Sequence, residues 1–202
     1  MSDAGHSVVI VGNDTHVCGL IAVTDAVRPG AAEVIADLRR LGIQRIIMVT
    51  GDNNSTAIDI ASSLRLNEVR AELLPQDKVE AVEELVRLHG AVAMIGDGVN
   101  DAPALARADL GIAMGAAGSD AAIEAADIAL MSDDLAKLPW LIRHSRRTLS
   151  VIRQNIALAL AVKGAVAALT VFGFASLWAA IAADVGASLL VVGNGLRLLR
   201  AH

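Results

Sequence analysis

The residues from 156 to 192 form an almost wholly apolar run in which only Lys163 and Asp184 carry charged side chains. A glycine-containing break at Phe172–Ser176 divides the run into two stretches of roughly 17 to 20 residues, each near the minimum for crossing a hydrocarbon core. Two such stretches joined by a tight turn predict a helical hairpin that spans a membrane.

Arginines flank this hairpin on one side only. Four precede the first stretch and two follow the second, whereas the turn between the stretches carries no charge: Arg143, Arg146, Arg147, Arg153, Arg197 and Arg200. Because cytoplasmic flanks of membrane helices are enriched in arginine and lysine, both ends of the hairpin are predicted to be cytoplasmic. The sequence therefore predicts a multi-pass protein of the plasma membrane whose soluble part and both termini are cytoplasmic.

The two intramembrane charges are predicted to lie at the same depth. Lys163 follows Asn155 by eight residues and Asp184 precedes Asn194 by ten, which places both roughly 12 to 15 Å inside the bilayer. An ionisable group at that depth costs at least ~2.5 kcal/mol on insertion scales and is a functional candidate by default. The alternative is a structural lysine–aspartate pair that locks the hairpin.

An apolar strand ending at Met94-Ile95-Gly96 is followed by Asp97, Asn100 and Asp101 in a glycine-containing turn. Magnesium prefers carboxylate and water oxygens, and glycine allows the tight turn that brings two carboxylates to one site. The pattern predicts a Mg²⁺ site beside a phosphate, with a solvated acidic surface turn as the alternative.

A second apolar strand ends in Thr50, Gly51 and Asp52 before a helical stretch. A threonine hydroxyl and free N–H groups at a helix N-terminus are ligands for phosphate. Lys78, at the opening of a later helix, offers a cation to the same crevice, although an ordinary solvated lysine is the alternative.

Apolar runs alternate with helical patterns along the soluble part, which predicts an α/β fold with a mostly parallel sheet covered on both faces. Strands are predicted near 8–12, 19–24, 45–50, 91–96, 110–114 and 127–131, and helices at 30–41, 54–64, 76–89, 100–107, 119–125 and 134–153, the last of them basic.

Thr50-Gly51-Asp52, then Lys78, then Gly96-Asp97-Gly98-Val99-Asn100-Asp101-Ala102-Pro103 resembles the phosphorylation domain of P-type ATPases, which are haloacid dehalogenase-like, Rossmann-like proteins. The segment Asp25–Gly30 resembles the point where the family's chain returns from its nucleotide-binding domain. The resemblance implies that Thr50 binds phosphate with Gly51 and Asp52, and that Lys78 neutralises it. It also implies that Asp97 holds Mg²⁺ with support from Asn100 and Asp101, and that ATP is the parent pump's substrate.

The family's nucleophile, the aspartate of Asp-Lys-Thr-Gly-Thr, has no counterpart in these residues. Asp14 and Asp25 each follow an apolar strand but lack the lysine and glycine that should come next, and neither is expected to be the nucleophile. Formation of an aspartyl phosphate needs an attacking carboxylate, which positioning and charge neutralisation do not replace.

Asn155 followed by Lys163, and then Asp184-Val185-Gly186, is similar to the last two transmembrane helices of zinc-, cadmium- and lead-exporting P-type ATPases. The resemblance implies that Asp184 binds the transported Zn²⁺ or Cd²⁺ and that Lys163 is its counter-charge. No sulfur-containing residue lies between 156 and 192, and oxygen ligands suit divalent ions better than monovalent copper.

The resulting prediction is a partial phosphorylation domain at 1–148, beginning with the tail of the nucleotide-binding domain, and two transmembrane helices at 149–202. On this reading the chain is part of a divalent heavy-metal export pump and is inactive alone. A membrane-bound regulatory or complementing module and a standalone phosphatase are the alternatives. Expected partners are the lipid membrane, the metal ion and the missing N-terminal part of the ATPase. A net charge of −5 and 2% aromatic residues argue against nucleic acid.

Overall fold

A computed structural model describes residues 7–13, 16–23, 27–97, 100–115, 120–174 and 176–200. The predictions for Asp14 and Asp25 lie outside these residues. The chain separates into two compact units, Met1–Pro139 and Trp140–His202.

The first unit alternates strands and helices, as the hydrophobic pattern predicts. The strands are β1 (Ser7–Gly12), β2 (Val17–Val23), β3 (Ile47–Val49), β4 (Glu68–Arg70), β5 (Ala93–Gly96), β6 (Leu110–Met114) and β7 (Ile128–Leu130). The helices are α1 (Ala31–Arg40), α2 (Asn54–Ser63), α3 (Pro75–His89), α4 (Ala102–Leu105) and α5 (Asp120–Ala125).

The described strands form three sheets. β1 and β2 pair as an antiparallel hairpin, β3 pairs with β4 in parallel, and β5, β6 and β7 form a parallel sheet with β6 in the centre. The prediction of parallel pairing in an α/β fold is confirmed. The carboxyl ends of β3 and β5 carry the segments that begin at Thr50 and Asp97, as is usual for sites in parallel α/β folds.

Burial explains why these segments fold as they do. In α1 the buried residues Ala31, Val34 and Leu38 recur at three- and four-residue spacing, which is the apolar stripe of a helix. Residues 111–114 of β6 are all buried, as expected for a central parallel strand. Leu105 of α4 and Ala113 of β6 form a core cluster.

Three elements differ from the sequence-based prediction. The short strand β4 was missed because its sequence, Glu-Val-Arg, has two charged residues around one apolar residue. The helix predicted at 100–107 is the single turn α4. The basic helix and the first apolar stretch form one continuous helix, α6 (Lys137–Val171), since no helix-breaking residue separates them.

The second unit is a helical hairpin. It contains most of α6, then α7 (Leu177–Leu196) and a 3₁₀ turn at Arg197–Arg200. Gly173 adopts a φ of 76°, and the amides of Gly173 and Phe174 donate to the carbonyls of Thr170 and Leu169. These bonds end α6 in a Schellman motif.

The Ser176 side chain then caps α7 by accepting a hydrogen bond from the Ala179 amide at 3.2 Å. By length and composition, α6 and the helical stretch Leu177–Leu199 are each long and apolar enough to cross a membrane. Local sequence signals therefore end α6 before the turn and begin α7 after it.

Candidate functional site

Lys78 and Asp101 are brought together although 23 residues separate them in sequence. The Lys78 Nζ atom donates to Asp101 Oδ1 at 2.7 Å, and the two side chains are only 15% and 18% exposed. Lys78 lies in the first turn of α3, and Asp101 immediately precedes α4. An ammonium group has three donors, so this contact leaves donors available for a phosphate.

Gly96, the last residue of β5, leaves room for Asp101. A Cβ atom at Gly96 would lie 3.0 Å from Asp101 Oδ2 and 3.1 Å from Asp101 Cβ. A side chain there would force Asp101 to shift by a few tenths of an ångström. The glycine in this motif therefore permits a close approach between the end of β5 and the carboxylate.

Thr50 and Asp52 form a second, smaller contact after β3. The Thr50 hydroxyl donates to Asp52 Oδ2 at 2.7 Å and accepts a hydrogen bond from the Asp52 amide at 3.1 Å. A hydroxyl has a single proton to donate. Thr50 must release Asp52 before it can donate to a phosphate.

The expectation of free N–H groups at the start of α2 is wrong at two positions. The Thr56 amide donates to the side chain of the N-cap residue Asn53 at 2.9 Å. The Asn54 amide donates to Glu72 Oε1 at 3.3 Å. Asparagine is a strong N-cap, and its side chain accepts a hydrogen bond from an amide that was expected to be available for a phosphate.

A chain of contacts connects the Thr50 segment to Lys78. The Leu73 amide donates to the Thr50 carbonyl at 3.1 Å, and the Lys78 amide donates to the Leu74 carbonyl at 3.0 Å. Asp77 Oδ2 accepts from the Leu74 amide at 2.9 Å and fixes the start of α3. The segment between β4 and α3 thus joins the two candidate phosphate-binding elements.

Arg70, which the sequence analysis did not single out, anchors α3. Its guanidinium donates to Glu68 at 2.8 Å and to Glu84 of α3 at 2.7 Å. The hydrogen bond to Glu68, followed by the one to Glu84, raises the pKa of Arg70 despite partial burial. The only sequence signal for this anchoring role is that Arg70 is a charged residue at the end of a very short strand.

Asp97 and Asn100 are exposed, whereas Asp101 is half-buried. The described residues contain no cluster of three or more histidine, cysteine, aspartate or glutamate side chains that could hold a metal ion. Magnesium is commonly bound by one or two carboxylates together with waters and substrate phosphates. Two carboxylates at the end of β5 therefore fit Mg²⁺ in the presence of a phosphate, and do not form a closed metal cage.

Lys163 and Asp184 line the same groove of the hairpin. This groove has a volume of about 210 Å³ and is otherwise apolar, with Val162, Val166, Ala167 and Ala180 in its walls. In the described chain the two charged side chains share the groove without forming an ion pair, and both are exposed. The structure thus brings the two charged residues to one groove, and their equal depth in a membrane stays a prediction.

The ion pair between Lys78 and Asp101 is expected to stabilise the first unit measurably. A double-mutant cycle with Lys78→Ala and Asp101→Ala should give a coupling free energy of ~1 to 2 kcal/mol, because both side chains are mostly buried and the hydrogen bond is charged. Denaturant unfolding of the full chain in detergent, followed by circular dichroism, measures this coupling.

Arg107 and Glu83 provide a matched control between the same two regions, since this pair is 3.3 Å apart and 62% and 50% exposed. Exposed pairs contribute about 0.5 kcal/mol or less. Equal coupling in the two cycles would contradict the role assigned to burial of the Lys78–Asp101 pair.

Comparison with known proteins places these features in a family. Residues 2–109 match the family model "Hydrolase: haloacid dehalogenase-like hydrolase". Over 200 residues the chain is 50% identical to a probable cadmium-transporting ATPase of Staphylococcus aureus. This alignment covers 99% of this chain and 25% of that protein. The chain is 45% identical over 197 residues to the cadmium, zinc and cobalt-transporting ATPase of Bacillus subtilis strain 168, covering 96% and 28%.

A solved structure gives the same result. The chain superimposes on a zinc-transporting PIB-type ATPase in its E2.Pi state with a TM-score of 0.83 and 46% identity, covering 98% of this chain and 32% of that one. The chain thus spans about a quarter to a third of the length of these relatives. It belongs to the haloacid dehalogenase-like family and is a homologue of cadmium- and zinc-transporting P-type ATPases.

Proposed function

We propose that this chain is part of an ATP-driven pump that exports divalent heavy metals such as Zn²⁺ or Cd²⁺. In this proposal residues 1–148 are a partial phosphorylation domain that begins with the tail of the nucleotide-binding domain, and residues 149–202 are two transmembrane helices with cytoplasmic ends. The observation that carries the proposal is the groove shared by Lys163 and Asp184 between two apolar helices. Its support comes from the relatives, which are named as cadmium- and zinc-transporting ATPases.

Asp184 is proposed to bind the transported ion, and Lys163 to balance the carboxylate after the ion leaves. Both side chains are exposed on the hairpin, and charged side chains within a membrane normally face a protein interior or a water-filled cavity. The hairpin is therefore proposed to pack against further membrane helices of the pump. These helices would supply the remaining ligands, since one carboxylate does not complete a transition-metal site.

The phosphate chemistry is assigned to the carboxyl ends of β3 and β5. Lys78 is held by Asp101 and offers its remaining donors to the transferred phosphoryl group, where it neutralises charge. The hydroxyl of Thr50 turns from Asp52 to the same group, and Gly51 allows close approach of the backbone. These residues bind and orient the phosphate, and the pump's nucleophile must come from a polypeptide segment outside these residues.

Asp97 and Asp101, with Asn100 nearby, are the residues proposed to hold Mg²⁺ beside that phosphate. When bound, the ion neutralises phosphate charge and fixes the orientation of the transferred group. Asp101 also keeps Lys78 in place at 2.7 Å. Its carboxylate therefore links the cation site to the phosphate site.

The partner proposed for this chain is the part of the ATPase that carries the phosphorylated aspartate. Within the described residues, β3 pairs only with β4, and β5 pairs only with β6. An edge strand presents unpaired N–H and C=O groups that another strand can use. Half-exposed Ile95 on β5, with 40% of its surface accessible, also favours a neighbouring strand at this edge.

This partner supports a complementing module as the second candidate function. The chain would then act only when the aspartate-bearing segment joins it, whether both belong to one polypeptide or to two. A standalone phosphatase has no such support, because the nucleophile is required for that reaction as well.

Metal-stimulated ATP hydrolysis by the assembled pump tests the transport proposal. With the aspartate-bearing part of a related pump joined to this chain and reconstituted in proteoliposomes, Zn²⁺ or Cd²⁺ should stimulate hydrolysis, whereas Cu⁺ should not. The physical reason is that the hairpin offers a carboxylate and no sulfur ligand. Stimulation by Cu⁺ alone would contradict the assigned substrate class.

A further inference from the structure

The open end of the hairpin contains a hydrogen-bonded pair of amide side chains that the transport proposal does not use. Asn194 Nδ2 of α7 donates to Asn155 Oδ1 of α6 at 2.9 Å. The same nitrogen lies 3.4 Å from Gln154 Oε1. This contact lies at the end of the hairpin opposite the turn at Phe172–Ser176.

Arg197 fixes the orientation of the Asn194 amide. Its guanidinium donates to Asn194 Oδ1 at 3.0 Å. A guanidinium has donors and no acceptor, so the amide atom that faces it must be the oxygen. The Asn194 nitrogen is thereby directed toward α6, where only an acceptor such as Asn155 Oδ1 can receive it.

The amide pair and the turn lie at opposite ends of the hairpin, and the two charged residues lie between them in sequence. Lys163 lies eight residues from Asn155 and eight from Val171, while Asp184 lies ten from Asn194 and seven from Leu177. At ~1.5 Å per residue, the two charged residues differ in level by ~3 Å or less from either end. A lysine side chain spans such a difference because of its long flexible stem.

We propose that Asn155 and Asn194, oriented by Arg197, form an amide clamp that closes the open end of the hairpin and holds Lys163 and Asp184 at one level. Apolar membrane helices have no hydrophobic driving force that joins them, so interhelical hydrogen bonds and close packing determine their association. Asn155 and Asn194 are positioning residues in this arrangement. The clamp itself does not depend on the transport function proposed above. Only the reason for holding Lys163 and Asp184 at one level rests on that function.

Disulfide crosslinking at two levels of the hairpin tests the clamp in the full chain with Cys18→Ser, reconstituted in lipid nanodiscs. The clamp-side pair is Ala159→Cys with Val191→Cys, since each lies about one helical turn from its own clamp residue, Asn155 or Asn194. The turn-side pair is Val166→Cys with Ala180→Cys, both of which line the groove. The rates of disulfide formation under mild oxidation are compared.

Removing either the donor or the acceptor should open only the clamp side. Asn194→Asp and Asn155→Leu are expected to slow clamp-side crosslinking by about three- to tenfold, the range that corresponds to one interhelical hydrogen bond. The turn-side rate should stay within about twofold, because the capped turn holds that end. A variant that failed to fold would lose both crosslinks, and the milder Asn155→Ser would then replace Asn155→Leu.

The conservative variant Asn155→Asp provides the decisive comparison. It keeps the acceptor oxygen for the Asn194 nitrogen, so its clamp-side rate should remain within about twofold of the parent rate. Equal clamp-side rates in the parent, Asn194→Asp and Asn155→Leu would overturn the clamp. Loss of crosslinking in Asn155→Asp equal to that in Asn194→Asp would overturn the assignment of donor and acceptor.

The assay needs neither metal nor ATP, so its result is independent of the transport proposal. A hairpin that keeps the clamp but belongs to a pump without metal response would contradict the transport function alone. A metal-responsive pump whose hairpin crosslinks equally in all variants would contradict the clamp alone.

Discussion

Replacing Asp184 with alanine is expected to abolish Zn²⁺- or Cd²⁺-stimulated ATP hydrolysis in the assembled pump. The carboxylate is the only acidic group between residues 156 and 192, and a divalent ion at that depth needs an anionic ligand to offset its lost hydration. The measurement is phosphate release as a function of metal concentration in proteoliposomes. A fall to the unstimulated rate is the expected result.

Lys163→Ala is the informative companion variant, because the lysine is a counter-charge and not a ligand in this proposal. It should keep part of the metal-stimulated rate. The substitution Ser188→Ala, one helical turn beyond Asp184 on the exposed part of α7, serves as a control that should leave stimulation unchanged. Full metal stimulation in Asp184→Ala would remove the proposed ion site.

The fold could be predicted where hydrophobic periodicity is long and regular. The two apolar helices of the hairpin follow from their composition, the longer helices of the first unit follow from hydrophobic periodicity, and the turn of the hairpin follows from Gly173 and Ser176. The strand β4 could not be predicted, because three residues with one apolar side chain carry no period. Its place beside β3 depends on tertiary contacts, including the ion pair of Arg70 with Glu84 of α3.

The sequence predicts which types of residue form the candidate site, but it does not predict which of these residues contact one another. Glycine, hydroxyl and carboxylate at strand ends indicate phosphate chemistry, yet nothing in the sequence shows that Lys78 bonds to Asp101. That contact depends on where α3 lies relative to the end of β5. The same reason explains why Glu72 was not expected to occupy the Asn54 amide, 18 residues away in sequence. The Thr56 amide, in contrast, is occupied by the local N-cap Asn53, whose side chain the sequence-based prediction did not consider.

The chain alone is expected to form no acid-stable phosphoenzyme with γ-labelled ATP, whereas addition of a separately produced, aspartate-bearing part of a related pump should restore labelling. The described sheets have open edges at β3 and β5, and the missing carboxylate is the one group that neighbouring cations do not replace. Label that survives acid and is released by hydroxylamine measures the aspartyl phosphate.

Variants of this chain show whether its own residues take part in the restored reaction. Lys78→Ala should lower the rate of labelling by about a hundredfold or more, as removal of one charge-stabilising donor does at other acyl- and phosphoryl-transfer sites. Asp97→Asn should raise the Mg²⁺ concentration needed for half-maximal labelling. Asp59 is an exposed acid on α2, and the control Asp59→Asn should change neither the labelling rate nor this Mg²⁺ concentration.

Labelling of the isolated chain at Asp14 or Asp25 would show that one of these carboxylates is a nucleophile. If the restored labelling were as fast with Lys78→Ala as with the parent chain, the carboxyl ends of β3 and β5 would not form the phosphate site. The reason is that a cation in contact with the transferred phosphoryl group cannot be removed without loss of rate.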